Sequence, residues 1–200
     1  MKKVIITGAT GMVGSLVLEL CLDSNLIERV VSISRKPSGK SSSKLEEIII
    51  DDFKDFSIFE KYFKNVDVAY FCLGVYTGSV PDSKFKEIRV DYTKAFAEIL
   101  KRNSPHAHFC FLSGAGADPK EKSRMSFAKY KGMAENHLIG LDFESLYIFR
   151  PSYIYPVEKR KEPNFSYRLM RKLYPLIKAL GTKYSIKSAE LAKLFLKQVF

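Results

Sequence analysis

Three glycines near the start of the chain, Gly8, Gly11 and Gly14, have a spacing suited to binding phosphate groups. They follow an apolar run typical of a β-strand and precede residues with helical periodicity. A strand, a tight turn and a helix N-terminus form the setting that a glycine-rich nucleotide motif requires. In such a turn Gly8 permits a sharp bend, Gly11 lets a pyrophosphate approach the backbone, and Gly14 brings the helix close to the strand.

Three residues between these glycines are predicted to contact the phosphates. The backbone N–H groups of Met12 and Val13 have no partner inside the first helical turn, and the helix dipole favours anionic charge there. The hydroxyl of Thr10 adds a further hydrogen-bonding group. A glycine-rich turn without a ligand is the alternative interpretation, but the preceding strand and the following helix favour nucleotide binding.

Two basic residues, Arg35 and Lys36, come directly after the second predicted strand, residues 29–34. In dinucleotide-binding sheets an acid at this position bonds a ribose 2′-hydroxyl, whereas an arginine accommodates a 2′-phosphate. The sequence therefore favours NADP(H) over NAD(H) as the cofactor. The alternative is a pair of basic residues in an exposed loop.

Further candidate contacts to the cofactor follow later predicted strands. Asp51 closes the third strand, where a carboxylate can accept a hydrogen bond from an adenine amino group, and capping of a turn is an equally good interpretation. Gly74 follows the fourth strand and would allow the cofactor's ribose to come close. The remaining cofactor contacts predicted at these strand ends are Leu73, Val75, Pro151 and Tyr153.

Six strand-like runs alternate with helical patterns along the chain. This alternation predicts a parallel sheet with right-handed crossovers and helices on both faces. We therefore expect one α/β domain over residues 1–200, a doubly wound (Rossmann) sheet with a small helical C-terminal tail, in which residues 151–185 form a small substrate or lid segment. The predicted strands after the first are residues 29–34, 47–51, 66–72, 107–112 and 145–149.

The predicted helices are placed by apolar spacing and by proline. Proline is favoured at the first position of a helix and bends or divides a helix from within. The helix from Ser123 or Ser126 to about Gly140 carries residues 127, 131 and 135 on one face. Further helices are predicted near residues 56–63, over 85–102, from Pro163 with a bend at Pro175, and over 185–200.

The chain is basic, with a net charge of +11, and eleven Lys or Arg against three Asp or Glu lie in residues 151–200. A basic surface attracts anions such as cofactor phosphates, acidic lipids or nucleic acids. No nucleic-acid-binding motif accompanies the charge, so we expect no nucleic-acid partner. The basic tail is able to contact an acidic membrane surface or an acidic protein, although packing of its apolar face on the domain is the preferred interpretation.

The cysteines point to a reducing compartment. Cys21, Cys72 and Cys110 are odd in number, widely spaced and set in apolar sequence, so we expect core thiols in a cytoplasmic protein. The spacing of cysteine and histidine matches no metal-ligand pattern, and no metal site is expected. The glycines after the first strand interrupt its apolar run, which excludes a signal peptide there.

An ordered set of motifs resembles one known family, the atypical short-chain dehydrogenase/reductases, and most closely the Tat-interacting-protein-like oxidoreductases. The resemblance covers about residues 1–155. It implies an NADPH-binding Rossmann domain with a Ser-Tyr-Lys reaction centre, acting on a carbonyl or hydroxyl group of a small molecule. The motifs that carry it are TGATGMVG, SRK, DVAYFCLG, RVDYTKA, FLSGAGAD, AKYKGMAE and FRPSYIY.

The reaction centre implied by this resemblance is incomplete. Lys131 followed by glycine fits the family's lysine, and the resemblance implies that it holds the nicotinamide ribose. Ser113 fits the first serine of the family's motif. The position four residues before Lys131 is Phe127, which has no hydroxyl to serve as the acid. Tyr130 lies about 100° around the helix from Lys131 and is expected to face elsewhere.

Two functions follow from this mixture, with Ser113 and Lys131 as the candidate catalytic residues. The first is an NADP(H)-dependent oxidoreductase or epimerase-like enzyme whose proton comes from Tyr76, Tyr130, Tyr153 or a water molecule. The second is a non-catalytic NADPH-binding regulatory or scaffold module, which the missing tyrosine hydroxyl favours. Lys131 as a solvated helix lysine is the alternative to its ribose contact.

Overall fold

The computed structural model describes residues 1–158, 169, 171–172, 174 and 184–200. A six-stranded sheet runs through the centre of the described fold. Its strands are β1 (Lys2–Thr7), β2 (Ile27–Ser34), β3 (Leu45–Ile49), β4 (Val68–Phe71), β5 (His108–Leu112) and β6 (Ser145–Phe149). The strand order is β3-β2-β1-β4-β5-β6, and every neighbouring pair is parallel.

The strand order reverses between β1 and β4, which is the place where doubly wound sheets form a crevice at the carboxyl ends of their strands. The predicted α/β doubly wound sheet is therefore confirmed. The helices are α1 (Gly14–Asp23), α2 (Asp82–Lys86), α3 (Tyr92–Asn103), α4 (Ser126–Gly140) and α5 (Ser188–Lys197), with a 3₁₀ helix at Ser57–Phe63 and a π-helical turn at Glu87–Asp91.

The central strands are buried on both faces, so alternate residues of one strand supply two separate cores. Val4 and Ile6 of β1 pack with α1 and α5, whereas Ile5 packs with α3 and α4 on the other face. The second core is aromatic. Phe96 of α3 contacts four other phenylalanine rings with centroids 5.1 to 6.0 Å away, and each buried ring contributes about 2 kcal/mol through removal from water.

Several elements differ from the sequence predictions. The second strand begins at Ile27 rather than Arg29, the third is Leu45–Ile49 rather than residues 47–51, and the helix near 56–63 is a 3₁₀ helix. The helix expected over 85–102 begins at Asp82 and passes through the π-helical turn before α3. The final helix begins at Ser188 rather than Ser185, because Ser185–Lys187 forms β8 and pairs in parallel with β7 (Tyr153–Tyr155) in a second, two-stranded sheet. Strands of three residues are too short to show the period-2 alternation that identifies a strand in sequence.

The part of the chain most concerned with a substrate lid is only partly described. The helix predicted from Pro163 and its bend at Pro175 lie outside the described residues, so the lid over 151–185 stays a prediction. Among the described residues, no helix is both long and apolar enough to cross a membrane. Cys21, Cys72 and Cys110 are all buried free thiols, as the sequence predicts.

Candidate functional site

A cavity of about 310 Å³ lies at the carboxyl ends of the central strands, beside the point where strand order reverses. Most of its walls come from four chain segments, each at the end of a different strand. They are residues 11–13 after β1, 72–77 after β4, 112–114 at the end of β5, and 151–154 with 156 after β6, and Arg89, Phe127 and Lys131 complete the lining. The topology of the sheet thus brings together four of the strand ends, although not those at Arg35 and Asp51.

The glycine-rich turn has the geometry expected from its sequence. Gly8 has a φ of +75°, and a Cβ there would lie 2.5 Å from the carbonyl carbon of Cys72, so only glycine fits this turn. A Cβ on Gly14 would lie 2.2 Å from the carbonyl oxygen of Gly8. The N–H of Gly11 donates to that same oxygen at 2.8 Å. The turn is therefore closed tightly against the end of β4.

Some of the residues of this turn that are predicted to bind phosphate line the cavity, and others do not. Gly11, Met12 and Val13 line it, at the N-terminus of α1, while Thr10 is exposed and does not line it. Backbone N–H groups at a helix N-terminus, next to a residue without a side chain, suit a pyrophosphate. The site therefore fits the phosphates of a dinucleotide.

The residues predicted to read the adenosine end lie outside the cavity. Arg35 and Lys36 are exposed directly after β2, which pairs with β1, so they follow the strand next to the glycine-rich turn. The hydroxyl of Ser34 donates to the carbonyl of Lys36 at 2.6 Å and helps to fix this strand end. Asp51 is also exposed, two residues beyond the end of β3.

Gly74 lines the cavity, but the space its missing side chain leaves is filled from within the protein. A Cβ on Gly74 would lie 2.6 Å from Nη1 of Arg89, whose Nη2 donates to the carbonyl of Val75 at 2.5 Å. Arg89 belongs to the π-helical turn and lines the cavity as well. Sequence reasoning missed Arg89, although π-helical turns occur often at functional sites. The ribose contact of Gly74 stays a prediction.

Lys131 is buried in the cavity wall, with only 3% of its surface exposed. Its Nζ donates to the carbonyl of Leu112 at 2.9 Å. Burial, and then the positive charge of Arg89, hold the pKa of Lys131 well below its usual 10.5, while Glu135 opposes this shift. The alternative of a solvated helix lysine is therefore wrong, because the amino group lies between the sheet and the cavity.

Phe127 lines the same wall one helical turn before Lys131. A Cβ on Gly114 would meet the tip of the Phe127 ring at 2.9 Å and Cε of Lys131 at 3.7 Å. Both side chains therefore lie against one short stretch of backbone. The place where the resembling family carries a tyrosine hydroxyl holds an apolar ring here.

Tyr130 points away from the cavity, as the helix geometry predicts. Its hydroxyl donates to the carboxylate of Asp82 at 2.6 Å and ties α4 to α2. This hydrogen bond raises the pKa of Tyr130. Of the three tyrosines that the sequence offers as proton donors, Tyr76 and Tyr153 line the cavity and Tyr130 does not.

A buried polar network supports the wall behind Ser113. Ser113 lines the cavity, and its hydroxyl donates to the carboxylate of Glu135, whose side chain is 1% exposed. Arg150 donates hydrogen bonds to both oxygens of that carboxylate: its Nη2 lies 2.6 Å from Oε2, and its Nε lies 3.1 Å from each oxygen. An ionised carboxylate only accepts hydrogen bonds, so the proton of Ser113 is committed to Glu135 and its lone pairs remain.

The network contains two residues that sequence reasoning did not assign to the site. Glu135 was placed on the face of α4 that carries Phe127 and Lys131, and this placement is confirmed by its burial. Arg150 follows β6, and nothing in its sequence context indicates a contact with α4. The pairing depends on β6 lying beside β5.

Two curated relatives place the chain among known proteins. Protein HTATIP2 of Rattus norvegicus is 29% identical over 156 residues, which are 76% of this chain and 63% of that protein. This chain therefore spans less than two thirds of the length of the rat protein. Protein FMP52 of Debaryomyces hansenii is 26% identical over 194 residues, covering 94% of this chain and 83% of that protein. The resemblance to the Tat-interacting-protein-like oxidoreductases is thus confirmed.

The same relatives correct one expectation. The FMP52 proteins of Debaryomyces hansenii, Eremothecium gossypii and Candida albicans are all named as mitochondrial. This contradicts the cytoplasmic location expected from the cysteines. Free thiols argue against an oxidising compartment such as the ER lumen, but they do not distinguish one reducing compartment from another.

Solved structures share the fold at low sequence identity. The Bordetella bronchiseptica enzyme WbmH in complex with NAD+ superposes with a TM-score of 0.74 at 17% identity, over 100% of this chain and 72% of that chain. The UDP-N-acetylglucosamine 4-epimerase of Methanobrevibacter ruminantium gives a TM-score of 0.74 at 21% identity, over 99% and 73%. Residues 4–133 match the model of one family, and that span is well over half of the 200 residues. The chain belongs to the NAD dependent epimerase/dehydratase family.

Proposed function

We propose that the protein binds NADP(H) and acts as an oxidoreductase on a carbonyl or hydroxyl group of a small molecule. The observation that carries this proposal is one cavity that holds both the glycine-rich turn and Lys131. The turn is suited to the phosphates of a dinucleotide, and Lys131 is suited to the hydroxyls of a ribose. Membership of a family of dinucleotide-dependent enzymes supports the same ligand.

The preference for NADP(H) rests on Arg35 and Lys36. Both are exposed at the end of β2, and no Asp or Glu occupies either position. A guanidinium binds a phosphate through charge-assisted hydrogen bonds, whereas an acid here would repel a 2′-phosphate. The WbmH structure is a complex with NAD+, and it therefore gives no support to NADP(H). The preference for the phosphorylated cofactor rests on the two basic residues at the end of β2 alone.

The residues of the cavity divide the work of binding. When bound, the dinucleotide supplies the hydride chemistry. The α1 N-terminus holds its phosphates, and Lys131 retains N–H groups beyond its bond to Leu112 with which to hold the ribose. Ser113 presents lone pairs and therefore orients a group that donates a hydrogen bond. Pro151 and Tyr153, which the sequence predicts as cofactor contacts, line the same cavity.

A second function is favoured by one observation. Phe127 places an apolar ring where a hydroxyl would protonate the substrate, so the chain is also suited to bind NADPH without turnover, as a regulatory or scaffold module. Both functions share cofactor binding. They differ in whether a carbonyl compound is reduced.

The experiment compares NADPH oxidation by the wild-type protein and by Phe127→Tyr over a panel of aldehydes, ketones and quinones, after NADPH binding has been measured for both by fluorescence. Phe200→Tyr adds the same hydroxyl outside the cavity and is the control. Turnover by the wild type supports the enzyme. Turnover only by Phe127→Tyr supports the binding module, and absence of NADPH binding overturns both functions.

A further inference from the structure

We propose that the amino group of Lys131 is itself the proton donor for carbonyl reduction, in place of the tyrosine hydroxyl that Phe127 replaces. The proposal rests on the proposed oxidoreductase function and assigns its acid.

Few acidic groups face the cavity. Its lining among the described residues contains no Asp or Glu. Ser113 has committed its proton to Glu135, and burial raises the pKa of the Cys72 thiol far above its usual range. Tyr130 is bonded to Asp82 outside the lining. The groups left to deliver a proton are Lys131 and the hydroxyls of Tyr76, Thr77, Ser152 and Tyr153.

The position of Lys131 is fixed close to that of the missing hydroxyl. Its side chain and the Phe127 ring leave α4 one helical turn apart, and both lie against Gly114. The carbonyl of Leu112 takes one of its three N–H groups and aims Nζ along the end of β5. Two N–H groups remain for a ribose oxygen and a substrate oxygen.

The surroundings of Lys131 make its proton easy to release. The charged groups that act on it are Arg89 of the π-helical turn and Glu135 of α4, together with the Cys72 thiol. Burial and Arg89 lower the pKa of Lys131, whereas Glu135 and Cys72 act in the opposite direction. A general acid works best when its pKa is near the working pH, and an ordinary lysine at 10.5 is too weak. The negative phosphates of a bound dinucleotide would raise the pKa of Lys131 again and so keep part of its amino groups protonated.

The proposed step balances. When bound, the reduced dinucleotide would supply the hydride: its C–H bond would break, that electron pair would form a new C–H bond at the carbonyl carbon, and the π pair of the C=O bond would move onto oxygen. That oxygen takes a proton from Nζ of Lys131. The products are an alcohol, the oxidised dinucleotide and a neutral amine, which regains a proton from water at the mouth of the cavity.

The test measures carbonyl reduction at saturating NADPH across pH for the wild type, Lys131→Met, Lys131→Arg, Tyr76→Phe and Tyr153→Phe. Arginine donates hydrogen bonds but does not release a proton, so it separates holding a ligand from donating to it. We expect both Lys131 variants to lose about 100-fold or more in kcat, the range of general acid catalysis. Because Tyr76 and Tyr153 line the cavity, their variants can change kcat, but the pKa values in their pH profiles should stay those of the wild type. Lys129→Met, exposed on the same helix, should keep the wild-type kcat.

A second measurement needs no cofactor. In protein labelled with ¹³C-lysine, the Lys131 signal is identified by its loss in Lys131→Met, and it should titrate well below the other lysines. Titration together with the other lysines overturns the proposal, as does turnover that survives Lys131→Arg or a pH profile whose limb for the acid disappears in a tyrosine variant. A wild type that binds NADPH but reduces no carbonyl in the panel also overturns it. Absence of NADPH binding is a separate result, because it overturns the proposed function itself.

Discussion

The cavity wall at the Gly11 end belongs to a turn held together by backbone atoms, whereas the wall at the Lys131 end is held together by side chains. The first end is closed by contacts among neighbours in sequence, such as the bond from the N–H of Gly11 to the carbonyl of Gly8. The second end depends on contacts across the fold. Ser113, Glu135 and Arg150 come from β5, α4 and the end of β6.

The two ends therefore respond differently to change. A backbone site requires only that certain positions stay without a side chain, and neighbouring residues can vary. A side-chain site requires each partner, because a buried charge that loses its partner destabilises the fold. Replacement of single residues at each end tests this contrast.

Arg150→Met should produce the largest loss, about 4 kcal/mol in the free energy of unfolding, because it leaves the buried Glu135 carboxylate without its cation. Urea denaturation measures it. Lys2→Met breaks the partly exposed pair of Lys2 with Asp67 and should cost less than about 1 kcal/mol. Equal losses in the two variants would contradict the role given to burial. Adding Glu135→Gln to Arg150→Met should recover most of the loss.

Gly14→Ala tests the backbone end. A Cβ at this position would lie 2.2 Å from the carbonyl oxygen of Gly8. Because that oxygen belongs to the backbone, it cannot move aside as the end of a flexible side chain would. We expect a loss of about 3 kcal/mol by urea denaturation, at the upper end of overpacking costs, and loss of NADPH binding. Gly140→Ala, where an added Cβ meets nothing within 4 Å, is the control. A Gly14→Ala protein as stable as this control would disprove the close packing of α1.

Lys131→Met should raise stability at neutral pH, by about 1 to 2 kcal/mol, because an apolar side chain replaces a buried amine whose charged form is disfavoured. The folded-state pKa of Lys131 lies below its unfolded value, so the unfolded chain binds more protons between the two. The loss of stability that the buried amine causes in the wild type is therefore largest below the folded-state pKa, and it disappears as pH rises toward 10.5. Thermal melts near neutral pH and again at alkaline pH should show the advantage of the variant shrinking. An advantage that grows with pH has the wrong sign for this account.

Arg35→Asp should have the smallest effect and leave the fold intact, since Arg35 is exposed. Affinity for NADPH should fall about tenfold, or 1.4 kcal/mol, while affinity for NADH changes little. Fluorescence titration with both cofactors measures this difference. Arg102→Asp makes the same change of charge at the end of α3 and is the matched control. Equal loss of both cofactors would remove the assignment of Arg35 to a 2′-phosphate.

The backbone end could be predicted from sequence because its determinants are local. Strand, glycine spacing and helix are consecutive in the chain, and they sufficed to place Gly8, Gly11 and Gly14 correctly. The doubly wound sheet was predictable for a similar reason, because each strand is indicated by an apolar run within its own residues. The predicted strand 145–149 coincides with β6.

The side-chain end was only partly predictable. Helical spacing placed Phe127, Lys131 and Glu135 on one face and turned Tyr130 away, and both results hold. Helical spacing does not indicate which other elements pack against that face. The pairing of Glu135 with Arg150 and the contact of Arg89 with Gly74 could therefore be seen only in the structure. The β7–β8 pair was missed because its two strands are far apart in sequence and short.

The short β7–β8 pair has a consequence for how this protein can diversify. The pair joins residue 153 to residue 185, and the N–H of Tyr153 donates to the carbonyl of Tyr184, so two points far apart in sequence are fixed side by side. Closing a longer loop costs only about 0.6 kcal/mol for each doubling of its length. The number of residues between these two points can therefore change at little cost in loop-closure entropy. Evolution, or a protein engineer, can exchange the chain between them while the β7–β8 pair keeps both ends in place.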